Sequence, residues 1–248
     1  KPGDLESLER IINKFKTKKK KFFADPIIDP IHYGFVESID RYREIRRKFP
    51  NIEMLMGIGN LTELTDCDSS GVNTILMGLV SELNINAVLV VQVSNHCRNS
   101  IKETDSARKL MSFAKKNQRL PVGIDNNLMC LSDRKLSRMN KAEVNEIKSL
   151  VKDRNFRIII TEEGVNIFNS KIHKVAQDPF DFFDSLDVDK DSSHAFYLGV
   201  ELARAQIAFQ LGKNYNQDNE LEWGVAFKKL SEDLLNRPKL KSTQIKKK

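Results

Sequence analysis

The sequence predicts an α/β fold at the start of the chain, followed by a small α+β domain. A strand-like segment, a polar loop and a helical pattern occur three times, at a spacing of roughly 30 residues, which is the length of a βα unit. Beyond residue 118 the repeat stops and the pattern changes to a β-hairpin with helices. We therefore divide the chain into βα units over residues 1–118, an α+β module over 119–227 and a basic tail over 228–248.

A helix and a strand-like segment open the chain. Residues 4–15 place their apolar side chains on one helical face. Residues 22–30, FFADPIIDP, follow as the first strand-like segment. This strand should end near Asp25, because Pro26 cannot donate a ladder hydrogen bond. A helix is predicted over residues 37–49.

The second βα unit is the most informative part of the sequence. Residues 52–58 are short, apolar and rich in β-formers, which predicts a buried strand. Gly57 and Gly59 let the backbone turn and let a ligand approach closely, because neither has a Cβ. Asn60 follows the strand with an amide that both donates and accepts hydrogen bonds. The next loop contains three carboxylates, which are Glu63, Asp66 and Asp68.

The third unit repeats this arrangement. Ser69 or Ser70 is the expected N-cap of the preceding helix, whose apolar side includes Ile75. Residues 87–95 form the third strand-like segment, and a helix is predicted over 100–117. Because the carboxyl ends of parallel strands meet at one edge, the three polar loops are expected on one rim. For any single loop, a solvated connection without a ligand is the structural alternative.

The α+β module has a less regular pattern. We expect a short strand over 126–131, a helix over 141–153 and a hairpin formed by 156–161 and 165–169. A short helix at Asp178-Pro179-Phe180 should bury three apolar side chains, which are Phe182, Phe183 and Leu186.

The strongest helical pattern covers residues 194–211. Ser192 or Ser193 can cap this helix, and Gly212 ends it. Glu201 and Arg204 are three residues apart, and pairing on the surface is the simplest role for them.

Composition excludes membrane-spanning and disulfide-framed proteins. No apolar run approaches the roughly 20 residues of a membrane span, and the charged N-terminus is unlike a signal peptide. Cys67, Cys97 and Cys130 are odd in number and widely spaced, which favours a reducing compartment without a metal knuckle. We expect a cytoplasmic protein with neither membrane association nor a bound metal.

Two basic runs account for the net charge of +7. Residues 14–21 carry six lysines and residues 228–248 carry a net six positive charges, so the rest of the chain is mildly acidic. Such runs can bind nucleic acid or an anionic surface. We find neither interleaved aromatic residues nor a nucleic-acid module, and we interpret the runs as a solvated face and a frayed tail. Nucleic acid is therefore not an expected partner.

Three long segments resemble a known family. They are ADPIIDPIHYGF, MLMGIGNLTELTDCDSSGVN and HAFYLGVELARAQIAFQLGKNYNQD. These segments are similar to the pterin-binding barrels, which include dihydropteroate synthases and pterin-dependent methyltransferases. The whole chain resembles the dihydropteroate synthase-related proteins of archaea and methylotrophs, which are associated with tetrahydromethanopterin. The resemblance implies the C-terminal part of a pterin-binding TIM-type (β/α) barrel over residues 1–118.

The resemblance also implies roles for particular residues. Asp25 corresponds to the carboxylate that holds the pterin amidine edge, and Asp29 is the second choice in the same loop. Asn60 corresponds to an asparagine that reaches the pterin N5, beside Gly57 and Gly59. The second-substrate side would contain the polar residues Glu63, Asp66, Asp68, Asn95 and Arg98.

The sequence departs from the synthases at two places. Leu61 stands where they carry a pterin-binding lysine, and 91–95 lacks the Arg-x-His that holds pyrophosphate. Positive charge is needed where a pyrophosphate leaves, so ordinary dihydropteroate synthesis is disfavoured. The expected ligand is a reduced pterin of the tetrahydromethanopterin or folate type, used by a synthase-like enzyme or methyltransferase. The alternative is a non-catalytic pterin-binding or scaffold protein.

The chain supplies too few strands for a closed barrel of eight. We expect the N-terminal half of the barrel to come from the same or a separate chain, with a homodimer as a further possible assembly. The helix over 194–211 and its continuation resemble a module of pterin-linked methanogen proteins, with a docking role as our hypothesis. The matching residues are Tyr197, Gly199, Glu201, Tyr215, Gln217 and Asp218.

Overall fold

The structure, a computed structural model, describes residues 4–227 and has a mixed α/β fold. The chain divides into two units, the first ending at Leu128 and the second beginning at Met129. The predicted α/β class is confirmed at this level, whereas the predicted tail, 228–248, lies outside the described residues. Among the described residues, no helix has the length and apolar character needed to cross a membrane.

Five helices belong to the first unit. The first begins after its N-cap Asp4, whose carboxylate accepts a hydrogen bond from the Ser7 amide. The predicted helices at 4–15, 37–49 and 100–117 are confirmed within two residues at each end. The bounds of the five are α1 Leu5–Thr17, α2 Phe35–Lys48, α3 Gly59–Thr62, α4 Ser69–Glu82 and α5 Ser100–Lys116.

The sheet of the first unit is parallel, as the repeat predicts. Strand β1, Leu55–Gly57, pairs in parallel with β2, Ala87–Leu89. On the other side of β1, Ala24 forms an isolated parallel bridge with Met54. Extended pairing therefore ends directly before Asp25, as Pro26 predicts, although the first segment is a bridge rather than a full strand.

The helices cover one face of this sheet. Met54, Met56 and Ile58 are fully buried in a core that includes side chains from α1, α2, α4 and α5. The alternate residues point to the opposite face, where Phe23 is 50% exposed and Leu89 is 58% exposed. Among the described residues of the first unit, the helices therefore lie on one side of this sheet.

Helix α4 of the first unit differs from the prediction in two details. The N-cap of α4 is Asp68 rather than Ser69 or Ser70, and Ser69 is instead a buried residue of the first turn. Ile75 is 68% exposed, because the buried stripe of α4 passes through Leu76 and Met77.

The second unit contains an antiparallel sheet of three strands. Strands β3, Arg157–Ile160, and β4, Val165–Phe168, form the predicted hairpin. A third strand, β5 His173–Ala176, pairs with β4 and was not predicted, because HKVA has no clear alternation. Within its described residues this unit has two α-helices, α6 Lys141–Leu150 and α7 Ser192–Leu211, and α7 packs on the hairpin.

Several expectations for the second unit need correction. Residues 126–131 form no strand, and α6 ends at Leu150 rather than at residue 153. Phe183 is 71% exposed, whereas Phe182 and Leu186 are buried as predicted. The cap of α7 is Asp191, not Ser192 or Ser193.

The end of α7 is as predicted. Gly212 adopts a left-handed conformation with φ 67°.

Candidate functional site

The first predicted ligand residue, Asp25, lies where extended pairing ends. Its Oδ1 accepts two hydrogen bonds, from the Ile27 amide at 2.9 Å and from the Tyr42 hydroxyl at 2.7 Å. Burial, together with the neighbouring carboxylate of Asp25, raises the pKa of Tyr42 far above its ordinary value. Oδ2 makes no hydrogen bond to any described residue, so one carboxylate oxygen remains as an open acceptor.

Asp29 is engaged inside its own loop. Its Oδ2 lies 2.6 Å from an Arg41 nitrogen, and Arg41 also donates to the carbonyls of Pro26 and Ile27. Gly34 has φ 108°, and a Cβ there would lie 3.1 Å from the Asp29 carboxylate. Arg41 therefore stabilises the conformation of this loop, and Asp29 is one of the three loop residues that Arg41 binds.

Asn60 lies in the short helix α3, beside the Asp25 loop. Its Nδ2 donates to the Ile28 carbonyl at 2.8 Å, which joins the loops that follow the first two parallel segments. Its Oδ1 has no hydrogen-bond partner among the described residues. The structure thus brings Asp25, Asp29 and Asn60 to one rim. Among the described residues, Asp25 Oδ2, Asn60 Oδ1 and Asp29 Oδ1 have no hydrogen-bond partner, although Arg41 holds the other oxygen of Asp29.

The two glycines near this rim differ in their surroundings. A Cβ on Gly59 would lie 2.7 Å from the Val91 side chain, so a larger residue there would force Val91 to shift. A Cβ on Gly57 would meet nothing within 4 Å. Of the two, Gly57 alone fits the predicted purpose of leaving room for a ligand.

Glu63 joins the second and third loops. Its two carboxylate oxygens accept hydrogen bonds from the backbone amides of Val93 at 2.9 Å and Ser94 at 2.8 Å. Hydrogen bonding to Ser94 and to these amides lowers the pKa of Glu63. His96 and Cys97 both contact the Thr62 carbonyl, at 3.0 Å each. Glu63 therefore stabilises the rim and presents no unused carboxylate oxygen.

The remaining residues predicted for a second substrate are dispersed. All four are exposed, and no hydrogen bond joins any of their side chains to Asp25 or Asn60. Asp68 caps α4 by position only, without a side-chain hydrogen bond. These four residues are Asp66, Asp68, Asn95 and Arg98.

Sequence reasoning missed the residues that support the rim. Tyr42 is fully buried and connects α2 to Asp25 and, at 3.1 Å, to the Leu55 carbonyl. A buried carboxylate, Glu103, accepts from Ser69 at 2.6 Å and from Asn73 at 2.8 Å, and so joins α4 to α5. For Tyr42, the sequence did offer a signal: a tyrosine stands within the apolar stripe of the helix predicted at 37–49.

A second polar cluster lies in the second unit. Glu201 is 2% exposed, so the expected surface pair with Arg204 is wrong in its location. One carboxylate oxygen lies 2.7 Å from Arg204, and the other accepts from the Tyr215 hydroxyl at 2.7 Å and the Asp218 amide at 3.1 Å. Burial and the hydrogen bond to Glu201 raise the pKa of Tyr215. The carboxylate is fully engaged.

The other residues of the predicted module join this cluster. The Tyr197 hydroxyl donates to Asp218 at 2.7 Å and accepts from Gln217 at 2.9 Å. Gln217 also bonds the backbone of Phe156 and Ile158, along the edge of β3. Five of the six residues therefore form one network, whereas a Cβ on Gly199 would meet nothing within 4 Å.

The chain is similar to a longer archaeal protein. The chain is 34% identical to an uncharacterized protein of Methanocaldococcus jannaschii over 244 residues, which cover 88% of this chain and 46% of that protein. The chain therefore spans about half the length of the curated relative it matches. No family model matches the sequence, and no solved structure matches it. Among the described residues, no group of three or more potential metal-ligating side chains is found.

Proposed function

We propose that the first unit contributes the ligand-binding rim of a pterin-binding protein of tetrahydromethanopterin or folate metabolism. The observation that carries this proposal is the pair of open acceptors, Asp25 Oδ2 and Asn60 Oδ1, at the carboxyl ends of adjacent parallel segments. Ligand sites of parallel α/β folds lie at this end of the strands.

The chemistry of a reduced pterin suits these acceptors. Its amidine edge presents adjacent N–H donors, and an ionised carboxylate is a strong acceptor for them. Because Asp25 Oδ1 already accepts from Ile27 and Tyr42, the pterin would bind chiefly through Oδ2. The Asn60 amide oxygen can accept from the N5–H, while its Nδ2 remains on Ile28.

A barrel accounts for the one-sided sheet. Doubly wound sheets carry helices on both faces, whereas every βα helix of a TIM-type barrel lies outside the strands. The helices of the first unit share one core on one face, and Phe23 and Leu89 are exposed on the other. We propose that the exposed face lines a barrel interior, with the other strands supplied by the same or a separate chain. The greater length of the archaeal relative is consistent with this arrangement.

What the rim lacks supports one type of reaction over the other. Leu61 replaces the lysine of the synthases, and Glu63 is occupied by backbone amides. Loss of pyrophosphate requires stabilising positive charge, so we propose methyl transfer rather than ordinary synthase chemistry. Non-catalytic pterin binding is the second candidate, because Leu61 and residues 91–95 lack the lysine and the Arg-x-His of the synthases.

Calorimetric titration of a tetrahydropterin into the protein at its full natural length tests the proposal. We expect micromolar binding that Asp25→Asn weakens about tenfold, or ~1.4 kcal/mol. Asp66→Asn, at an exposed carboxylate, is the matched control and should leave the affinity unchanged. Saturable binding without turnover for any methyl donor would favour the non-catalytic candidate, and absence of heat would contradict the pterin site.

A further inference from the structure

A cleft of about 280 Å³ lies at the amino-terminal ends of the parallel strands. It is bounded by the end of α1, by residues 20–22 and by residues 48–53. Residues 20–22 precede Ala24, and residues 48–53 precede β1. The rim with Asp25 and Asn60 lies at the opposite, carboxyl ends of these strands. A ligand in this cleft would therefore leave the proposed pterin site free.

Positive charge predominates in the lining of the cleft, which also includes one carboxylate, Glu53. Lys16, Lys20 and Lys21 line it, and none of them has a carboxylate within ion-pair distance in the described part of the chain. A fourth lysine, Lys48, is neutralised by two glutamates on α1 and α2. The helix dipole favours lysine in the last turn of α1, which accounts for Lys16 but not for the lysines that follow the helix.

Aromatic rings lie among these lysines. The sequence pattern predicts a solvated lysine run without aromatic partners, and the structure differs. The end of α2 places the ring of Phe49 at 5.3 Å from the Lys16 ammonium, and Phe22 lines the same cleft. Phe15, 39% exposed, lies 5.3 Å from Phe22 and extends the aromatic surface beyond the cleft.

We propose that this lysine–phenylalanine cleft binds single-stranded nucleic acid. Ammonium groups without a carboxylate partner are suited to backbone phosphates, and the parts of the half-buried Phe22 and Phe49 rings that line the cleft can stack on an unpaired base. The volume of the cleft suits one base, and the bases of a duplex are not available for stacking on a protein ring. The strand would continue over the exposed lysines and Phe15.

Fluorescence anisotropy with a labelled single-stranded RNA of about 12 nucleotides tests this proposal. Replacing Lys16, Lys20 and Lys21 with glutamine should weaken binding about tenfold or more. Because each single-strand phosphate contact contributes about 0.7 to the salt dependence, the slope of log K against log salt should decrease by about 2.

Two charge-matched controls separate this site from general attraction. The first control replaces the exposed lysines Lys152, Lys171 and Lys190 of the second unit with glutamine. The second control replaces lysines 246–248 of the sequence in the same way. Both should reduce affinity much less than the cleft variant. Equal losses in all three variants would overturn the proposal, since binding would then follow net charge.

The aromatic contribution has its own variant. Phe49→Leu keeps an apolar side chain and should weaken single-stranded binding by roughly fivefold or more, with the thermal midpoint recorded in parallel. Unchanged affinity in a folded variant would contradict stacking. Equal affinity for the duplex, or full competition by a mononucleotide at micromolar concentration, would also overturn the proposal.

Discussion

Two polar clusters of similar composition differ in how completely they are satisfied. In the second unit, both oxygens of Glu201 are bonded, to Arg204 on one side and to Tyr215 and Asp218 on the other. In the first unit, Asp25 and Asn60 each keep an oxygen without a partner among the described residues. A buried polar group with complete hydrogen bonding contributes to the fold, whereas an open acceptor can bind a ligand.

This difference separates two of the residue sets on which the sequence-based hypothesis was built. The residues predicted for the C-terminal module form one network, and this network connects α7 to the edge of β3. Those of the rim combine supports, such as Arg41 and Tyr42, with groups left over for binding. A polar motif in a sequence predicts neither role until its partners are known.

The largest expected effect is on the closed cluster. Glu201→Ala leaves the Tyr215 hydroxyl, the Asp218 amide and Arg204 without their acceptor, so we expect a loss of about 3 kcal/mol in the free energy of unfolding. Urea denaturation measures it, with the exposed Glu220→Ala as control. A loss equal to that of the control would mean that the network does not stabilise the module.

The two rim glycines give a matched pair. Gly59→Ala places a Cβ 2.7 Å from a methyl group of the half-buried Val91 and should destabilise the protein by about 1–3 kcal/mol, because Val91 must shift. Gly57→Ala should leave stability nearly unchanged and weaken pterin binding. Equal stabilities of the two variants in thermal denaturation would contradict the packing role of Gly59.

Removing the hydroxyl that supports Asp25 should have a smaller effect. Tyr42→Phe deletes a buried hydroxyl that contacts the charged Asp25 and the Leu55 carbonyl, and we expect a loss of about 1.5 kcal/mol in the free energy of unfolding. Chemical denaturation measures this loss. Unchanged stability would contradict the role of the Tyr42 hydroxyl as a support for Asp25.

The smallest effect is a pH dependence. The folded state lowers the pKa of Glu63 below its ordinary 4.5, so its stabilisation is present above pH 4.5 and is lost as the pH falls through the lower, folded value. Glu63→Gln should therefore flatten the stability profile below pH 4.5. Thermal midpoints of both proteins across this range test the prediction, and parallel profiles would contradict it.

Local chemistry made part of this structure predictable. Pro26 predicts the end of extended pairing, Gly212 predicts the end of α7, and the hairpin follows from the alternation around Gly164. The satisfaction of the polar groups was not predictable in this way. Tyr42 meets Asp25 from 17 residues away, and Glu63 meets the next loop from 30 residues away. Such pairs depend on how helices and loops pack, which periodicity does not contain.

Hydrogen exchange with and without a saturating tetrahydropterin tests the central contrast most directly, because one experiment observes both clusters. We predict increased protection of backbone amides at residues 25–34 and 57–66 in the first unit, with no change at 213–218 in the second. Protection confined to 213–218 would contradict the account, since the ligand would then bind the network that we interpret as closed.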